Sequence, residues 1–433
     1  MQKFAGKKLL ILGSNVGTLD IIRYARMHGA CTVVADYLPP DKSIGKQYSD
    51  EDVLISTGDL DGLKEYVSKA GIDGIIAGIS EFNLLNAMEL CSDFNLPFYC
   101  TRKQWDQVEN KENFRKLCLE YGVPCPDTYF IGSVLPEGLA SSVQSPVIVK
   151  PVDASASVGV SICRTSDELD AAFKLAQEYS KSGCVIIEEF FEGEEFSAHY
   201  SIADREVALC CVDNRIPVAV HPGDVTTVPI ARIYPSSFTD VFISTVNDRL
   251  KSMIGSLGLE TGVVFVQGLY DRVRGRFCIF EAGLRCAGEA PYRFIGHVNG
   301  VSFMDNLVDH ALLGKTVGYD ISKEDPFLKG KHCCVTSFVS RGGLIGKISG
   351  YEGIAEKFPS VLSSELRYHE GDATPDGNTL RQIVARFVLA CDSREEMIHD
   401  VCRINEYVKI LDVEGEDLCY RFDIEDYFKS KIN

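Results

Sequence analysis

Two hydrophobic rhythms alternate through the first hundred positions. Short apolar runs such as Leu9-Leu10-Ile11-Leu12 give way to stretches with apolar residues near every 3.6 positions, such as Leu19, Ile22 and Ala25. The runs predict strands over residues 8–12, 31–36, 52–56, 72–77 and 97–100. The periodic stretches predict helices over 18–28, 60–69 and 81–94. Strands separated by helices of this length require crossover connections, hence a parallel sheet covered on both faces.

Beyond Trp105 the rhythm changes. A helix over 112–121 stops at Gly122, with Pro124 and Pro126 just after. A strand over 146–150, a helix over 166–180 and a strand over 184–189 follow, then longer strands over 195–203, 206–212, 262–270 and 276–281. Past about residue 325 come strands over 333–340 and 344–348, read as a hairpin across Arg341-Gly342-Gly343, and more over 365–369 and 386–390. The last long helix, 393–407, opens on Ser393 with Glu396 three residues on, a capping box. The predicted class is α/β followed by α+β: a parallel-sheet domain over 1–104, a two-lobed domain over 105–325 with lobes of about 105–185 and 186–325, and a small α+β domain over 326–433.

Composition narrows the function. Apolar residues make up 45% of the 433, enough for a sizeable core, so disorder is excluded as the main state. The 62 acidic against 44 basic residues leave a formal charge of −18, which makes nucleic acid and anionic membrane surfaces poor partners. A small polyanion can still be held by a few lysines and backbone N–H groups. No apolar run reaches the roughly 18 residues of a membrane span. The 16 scattered cysteines form no CxxC pair, and with no export signal in view they are expected to be reduced thiols in a cytoplasmic protein.

Three segments carry candidate chemistry. In the first, Lys150 ends the apolar strand Ile148-Val149-Lys150-Pro151, and a run of small residues from Val152 to Val160 follows. A buried strand-end lysine needs an anionic partner, and small residues let backbone N–H groups approach a phosphate. The second is the acidic bend from Glu188 to Glu195 between two strands, which offers backbone groups and carboxylates. The third pairs Gln267 on one strand with Glu281 on the next, followed by Arg285; hard oxygen ligands suit Mg²⁺, and an arginine can clamp an anionic centre. The Gly13–Gly17 loop lacks the GxGxxG spacing, so despite Asp36 downstream it reads as a structural turn and not a nicotinamide site. Of the 8 histidines, His199 is expected in the core, and His221 and His297 are candidates to face substrate; with no HxxxH pair, zinc is not expected.

The order Lys111, Lys150 with its loop, the Glu188–Glu195 bend, then Glu281 and Arg285 resembles the ATP-grasp superfamily over about residues 1–325. The C-terminal portion resembles the closing domain of L-amino acid ligases and biotin carboxylase-type members, the wider likeness extending to carbamoyl phosphate synthetase-type members. The resemblance implies a parallel pre-ATP-grasp domain and two lobes that hold ATP between them. It implies that Lys111, Lys150, Ser155 and Ser157 contact the phosphates, and that Glu188, Glu189, Phe191 and Glu195 contact adenine and ribose. It further implies that Glu281 and Gln267 bind Mg²⁺, with Mn²⁺ as an alternative, and that Arg285 and Lys150 act in catalysis. The sequence departs from that pattern at Ala154 and Ala156, where glycines are usual, at Gln267, where an acid is usual, and at Gly283, where an asparagine is usual. The implied activity is an ATP-dependent, ADP-forming ligase joining a small-molecule carboxylate to an amine. A bicarbonate-activating enzyme and a non-catalytic ATP-binding protein are the alternatives. No Met-Lys-Met biotin attachment site is present, and homodimers are common in the resembling superfamily.

Overall fold

The computed structural model describes residues 2–154, 158–218, 227–377 and 379–431. Strands β1 (Lys8–Leu12), β2 (Cys31–Ala35), β3 (Glu51–Val53) and β4 (Gly74–Ala77) form a parallel sheet in the order β3-β2-β1-β4. Leu9 to Leu12 and Val33 to Ala35 are all fully buried, which is why these strands read as continuous apolar runs. The expected strand at 97–100 does not form. Phe98 stacks on Tyr99 instead, and the Tyr99 hydroxyl donates to the Leu284 carbonyl at 2.7 Å, drawing the segment towards the next domain. Asp36 accepts from the backbone N–H of Ser14 and of Leu38, both at 2.9 Å, so its carboxylate serves the fold.

Helices Arg102–Glu109 and Lys111–Glu120 lead into an antiparallel sheet of β5 (Thr128–Gly132), β6 (Val147–Pro151), β7 (Ser161–Cys163) and β8 (Val185–Glu189), ordered β5-β8-β6-β7. One face carries Val147, Val149, Val185 and Ile187, which pack with Phe173 of helix Leu169–Tyr179 into a small separate core. Strand alternation then puts Lys150 and Glu188 together on the other face, since Glu188 lies opposite Ile148.

The chain continues through β9 (Glu194–Ala203), β10 (Glu206–Val212), β11 (Asn214–Val218), β12 (Val228–Tyr234), β13 (Thr261–Asp271) and β14 (Arg276–Gly283). Four of these make a second antiparallel sheet, β10-β9-β13-β14. Phe196, Ala198, Tyr200 and Ile202 of β9, with Val264 and Val266 of β13, enter one continuous core with the parallel domain.

Residues 214–235, where the sequence pattern predicts no strand, contain β11 and β12. Pro229 and Arg232 interrupt the apolar signal there, yet all of β12 is buried because Asp213 and Glu289 neutralise Arg232. β12 joins C-terminal strands in a sheet ordered β11-β12-β15-β19-β17, where β15 is His332–Ser340, β17 is Val361–Leu366 and β19 is Ile383–Cys391. This sheet runs across the division expected at 325/326. The expected hairpin is also corrected. β16 (Gly343–Ser349) does not pair with β15, whose edges are taken by β12 and β19. Gly342 and Gly343, at φ 87° and 135°, turn β16 into a separate sheet with β18 (Ala373–Thr374) and β20 (Lys409–Asp412). All sixteen thiols are free, and among the described residues no helix is long and apolar enough to cross a membrane.

Candidate active site

The sheet β10-β9-β13-β14 has a second face, and its composition sets it apart. Ser197 lies opposite Gln267, which lies opposite Glu281, so these three form one polar row across β9, β13 and β14. Two residues along, His199, Phe265 and Gly283 form the next row. Ser197, His199 and Ser201 are buried, so this face is covered and is not a solvent face. Gln267 and Glu281 themselves are half-buried, and their side chains make no hydrogen bond or ion pair among the described residues.

Arg285 follows β14 by two residues. Its guanidinium carbon lies 5.0 Å from the centroid of the Phe265 ring, a cation–π contact. Its one hydrogen bond is long, 3.4 Å from Nη1 to the Cys286 carbonyl, and its Nε is buried without a partner. Phe265 thus stands between Arg285 and His199, whose ring centroid lies 6.5 Å away. Burial, with help from the charge of Arg232, pushes His199 down to about 3, so the ring is neutral, and its Nε2 has no partner. The expectation of a core histidine agrees with this placement.

An ion-paired cluster joins this sheet to the one before it through the Phe280 carbonyl of β14. Lys150 Nζ is 2.5 Å from Glu188 Oε2, and Arg115 forks onto the same carboxylate, its Nη2 also donating to the Phe280 carbonyl of β14 at 2.9 Å. Burial alone would raise the Glu188 carboxyl, but Lys150 and Arg115 together hold it below the ordinary range. Burial pushes the Lys150 ammonium below its ordinary value, with Glu188 opposing and Arg115 assisting. Sequence reasoning assigned Glu188 to adenine or ribose. With 0% exposure and both oxygens engaged by cations, its side chain is placed as the counter-ion of Lys150.

The resemblance implies a cleft between these two groups, and the remaining sequence-predicted residues have contacts of their own. Lys111 opens its helix; its Nζ donates to the Ala154 carbonyl at 2.6 Å and its backbone N–H to the Val152 carbonyl at 3.0 Å, so it holds the start of the small-residue loop. Ser155 and Ser157 lie outside the described residues, as does His221. Glu189 pairs by backbone with Asp127 at 2.8 Å, Phe191 lies 5.3 Å under the Arg276 guanidinium, and Glu195 is ion-paired with Arg215. His297 is not at this cleft. It lines a cavity of about 650 Å³ with Asp20, Arg23, Arg293 and Ser363.

Sequence reasoning missed Arg115 and Glu109. Glu109 ends helix Arg102–Glu109, and its Oε1 is buried without a partner. Burial pushes its carboxyl up to about 8; Arg285 opposes that, Glu81 and Glu281 reinforce it, and Lys111 opposes it. A carboxylate at a helix C-terminus runs against the helix dipole, a signal readable from sequence.

The donor set suits a hard cation. Among the described residues no three His, Cys, Asp or Glu side chains converge into a ready-made cage. Mg²⁺ does not need one, since it takes one or two carboxylates and completes its shell with water and phosphate oxygens. Glu281, Gln267 and the orphaned Glu109 oxygen fit that demand.

Residues 133–218 match the family model described as D-ala D-ala ligase C-terminus. Over 430 residues the chain is 23% identical to the carbamoyl phosphate synthase large chain of Thermotoga neapolitana, an alignment covering 89% of this chain and 38% of that one. Across the curated carbamoyl phosphate synthase relatives, the matched share of their length runs from 16% to 53%. The fold matches L-amino acid ligase from Bacillus licheniformis with a TM-score of 0.75, at 16% identity over 94% of this chain and 99% of that one. It matches the biotin carboxylase of Campylobacter jejuni with a TM-score of 0.75, at 14% identity over 99% and 95%. The architecture is therefore the ATP-grasp fold. With the family match over residues 133–218 and the carbamoyl phosphate synthase relatives, the chain is similar to members of the ATP-grasp superfamily in sequence as well as in fold.

Proposed function

We propose that this protein is an ATP-dependent, ADP-forming ligase that joins a small-molecule carboxylate to an amine through an acyl phosphate. What carries this is the row Gln267–Glu281, without a partner among the described residues, with the Arg285 guanidinium two residues past its strand and a lysine pre-set by Glu188. Fixed dipoles and charges aimed at a site are how phosphoryl transfer is catalysed, since little else is asked of the protein.

The substrate carboxylate attacks the γ-phosphorus of ATP; a new O–P bond forms, the bond to the β-phosphate breaks and ADP leaves. The amine then attacks the acyl carbon and inorganic phosphate departs. Glu188 occupies one donor of the Lys150 ammonium, leaving two for phosphate oxygens. Lys111 steadies the loop that begins at Ala154 and offers its remaining donors to the same phosphates. Bound Mg²⁺ would supply charge neutralisation at the phosphate oxygens, held by Glu281 and Gln267. Arg285, stacked on Phe265, steadies the negative charge on the attacking carboxylate and on the tetrahedral centre. The backbone from Glu189 to Phe191 would take adenine, and Glu195 the ribose. In support of nucleotide in this cleft, the Campylobacter jejuni biotin carboxylase was solved as a β,γ-ATP complex.

A panel of carboxylic acids with hydroxylamine as the trapping amine tests this. ADP release together with hydroxamate formation from one acid is expected. ATP binding with no ADP release on any acid would leave a non-catalytic nucleotide-binding protein. The biotin carboxylase domain of a thermophilic 2-oxoglutarate carboxylase, which this fold also matches, was solved bound to bicarbonate, which favours bicarbonate as the second reading. ADP release stimulated by bicarbonate alone would select it.

A further inference from the structure

The row that faces the cleft holds one carboxylate, Glu281, beside a neutral amide, Gln267. Gly283, two residues along the same face and so about 7 Å on, has no side chain to offer. That space is nevertheless filled. A Cβ at position 283 would meet the Phe265 ring at 2.6 Å and Glu109 Oε1 at 3.2 Å. Glu109 therefore brings a carboxylate over the glycine from a different element, the end of helix Arg102–Glu109.

Several features separate this carboxylate from a structural one. Its Oε1 is buried and accepts no hydrogen bond among the described residues, whereas buried carboxylates that serve a fold, such as Asp36, Asp213 and Glu188, are bonded. It does not cap its helix, because it lies at the end where the dipole disfavours an anion. Asn110, the next residue, caps the following helix by accepting from Asn113 N–H at 3.1 Å, so Glu109 has no task there either. The two cations in its electrostatic environment, Arg285 and Lys111, make no ion pair with it. A buried acceptor left open beside Glu281 is costly unless something else comes to it.

We infer that Glu109 is a second carboxylate of the metal–triphosphate site, reaching over Gly283 to share with Glu281 the cation that Gln267 alone could not balance. This rests on the ATP-ligase reading. It restores to the site the two-carboxylate charge that suits Mg²⁺ bound with phosphates, and it does so from the helix junction that also carries Lys111. One helix end then sets both a phosphate-directed ammonium and a metal-directed carboxylate, two residues apart.

The test measures metal binding and not turnover. Full-length wild type, Glu109→Gln and Glu109→Ala are titrated with Mn²⁺ in the presence of a non-hydrolysable ATP analogue, following the free Mn²⁺ signal by electron paramagnetic resonance. Thermal melting of each checks folding. The glutamine variant keeps the shape and removes the oxygen that can take a negative charge when the cation binds. We expect it to weaken Mn²⁺ binding to the nucleotide complex about tenfold or more, with analogue affinity in the absence of metal unchanged. Unchanged Mn²⁺ affinity in both folded variants overturns the inference, including the case where turnover alone falls, which would make Glu109 a positioning residue for Arg285. If wild type itself binds no analogue with or without Mn²⁺, the ligase reading fails first and takes this inference with it.

Discussion

On one side of the cleft Lys150 and Arg115 share the buried carboxylate of Glu188; on the other, Glu281, Gln267, Glu109 and Arg285 have no ionic partner among the described residues. The first wall is internally neutralised and bridges two elements, since Arg115 binds Glu188 of β8 and the carbonyl of Phe280 in β14. It contributes to the fold whether or not anything is bound. The second wall is half-buried and forms no ion pair of its own among the described residues, so its charges stay available to what enters. Charges of one cleft can thus be divided between holding the protein together and holding a substrate, and the hydrogen-bond pattern tells them apart.

The largest test breaks the paired wall. Glu188→Ala leaves two cations buried without an anion and should cost about 3–5 kcal/mol of stability by urea unfolding. Glu281→Gln, in the open wall, should leave unfolding within about 0.5 kcal/mol of wild type while abolishing Mg²⁺-dependent ADP release. Equal stability losses in the two variants would erase the distinction.

Next come the cations. Lys150→Met should lower kcat at least about 10²-fold by removing a phosphate-stabilising charge. Arg285→Lys keeps a charge but loses the planar fork, and should lower kcat/KM by about tenfold or more without lowering the melting temperature. A drop in melting temperature would make Arg285 a member of the structural wall.

His199, behind Phe265, provides a pH test. Its folded value, about 3, lies below the ordinary 6.5, so the unfolded chain takes up a proton first as pH falls. Stability should therefore be full above about 6.5 and decline through the window from 6.5 to 3, by up to about 1.4 kcal/mol per pH unit. Glu289, which burial would raise but Arg232 and Arg386 hold down to about 2, adds its own loss only below its ordinary 4.5. Urea unfolding at pH 7 and pH 5 should show a smaller decline in His199→Asn than in wild type; parallel declines would remove His199 as the source.

The smallest expected effect is at the ribose end. Glu195→Gln breaks the pair with Arg215 and should raise the KM for ATP by about tenfold or less with kcat nearly unchanged. A large fall in kcat would move Glu195 into the reacting centre.

Much of this protein was legible in its residue pattern. Apolar runs located β1, β2, β4, β6, β8 and the long strands β9, β10, β13 and β14, because burial on a sheet selects residues one position at a time. The same local pattern put Gln267 and Glu281 on neighbouring strands and Arg285 just past them. It said nothing of which strands pair. β12 hid behind Pro229 and Arg232, and β15 and β16 looked like a hairpin although each belongs to a different sheet. Pairing is a contest between edges far apart in the chain, and adjacency in sequence does not decide it.

The charges divide in the same way. That Lys150 would matter followed from a lysine at the end of a buried strand, where an isolated charge is expensive, and Glu281 stood out as a hard oxygen ligand on the strand next to Gln267. That Glu188 would neutralise Lys150, and that Glu109 would lie over Gly283, needed the fold, because each pairing brings together residues 38 and 174 positions apart and depends on which face of a sheet each one occupies. Local sequence determined where charge was placed along each element; only the packing of elements decided which charges cancel and which stay open.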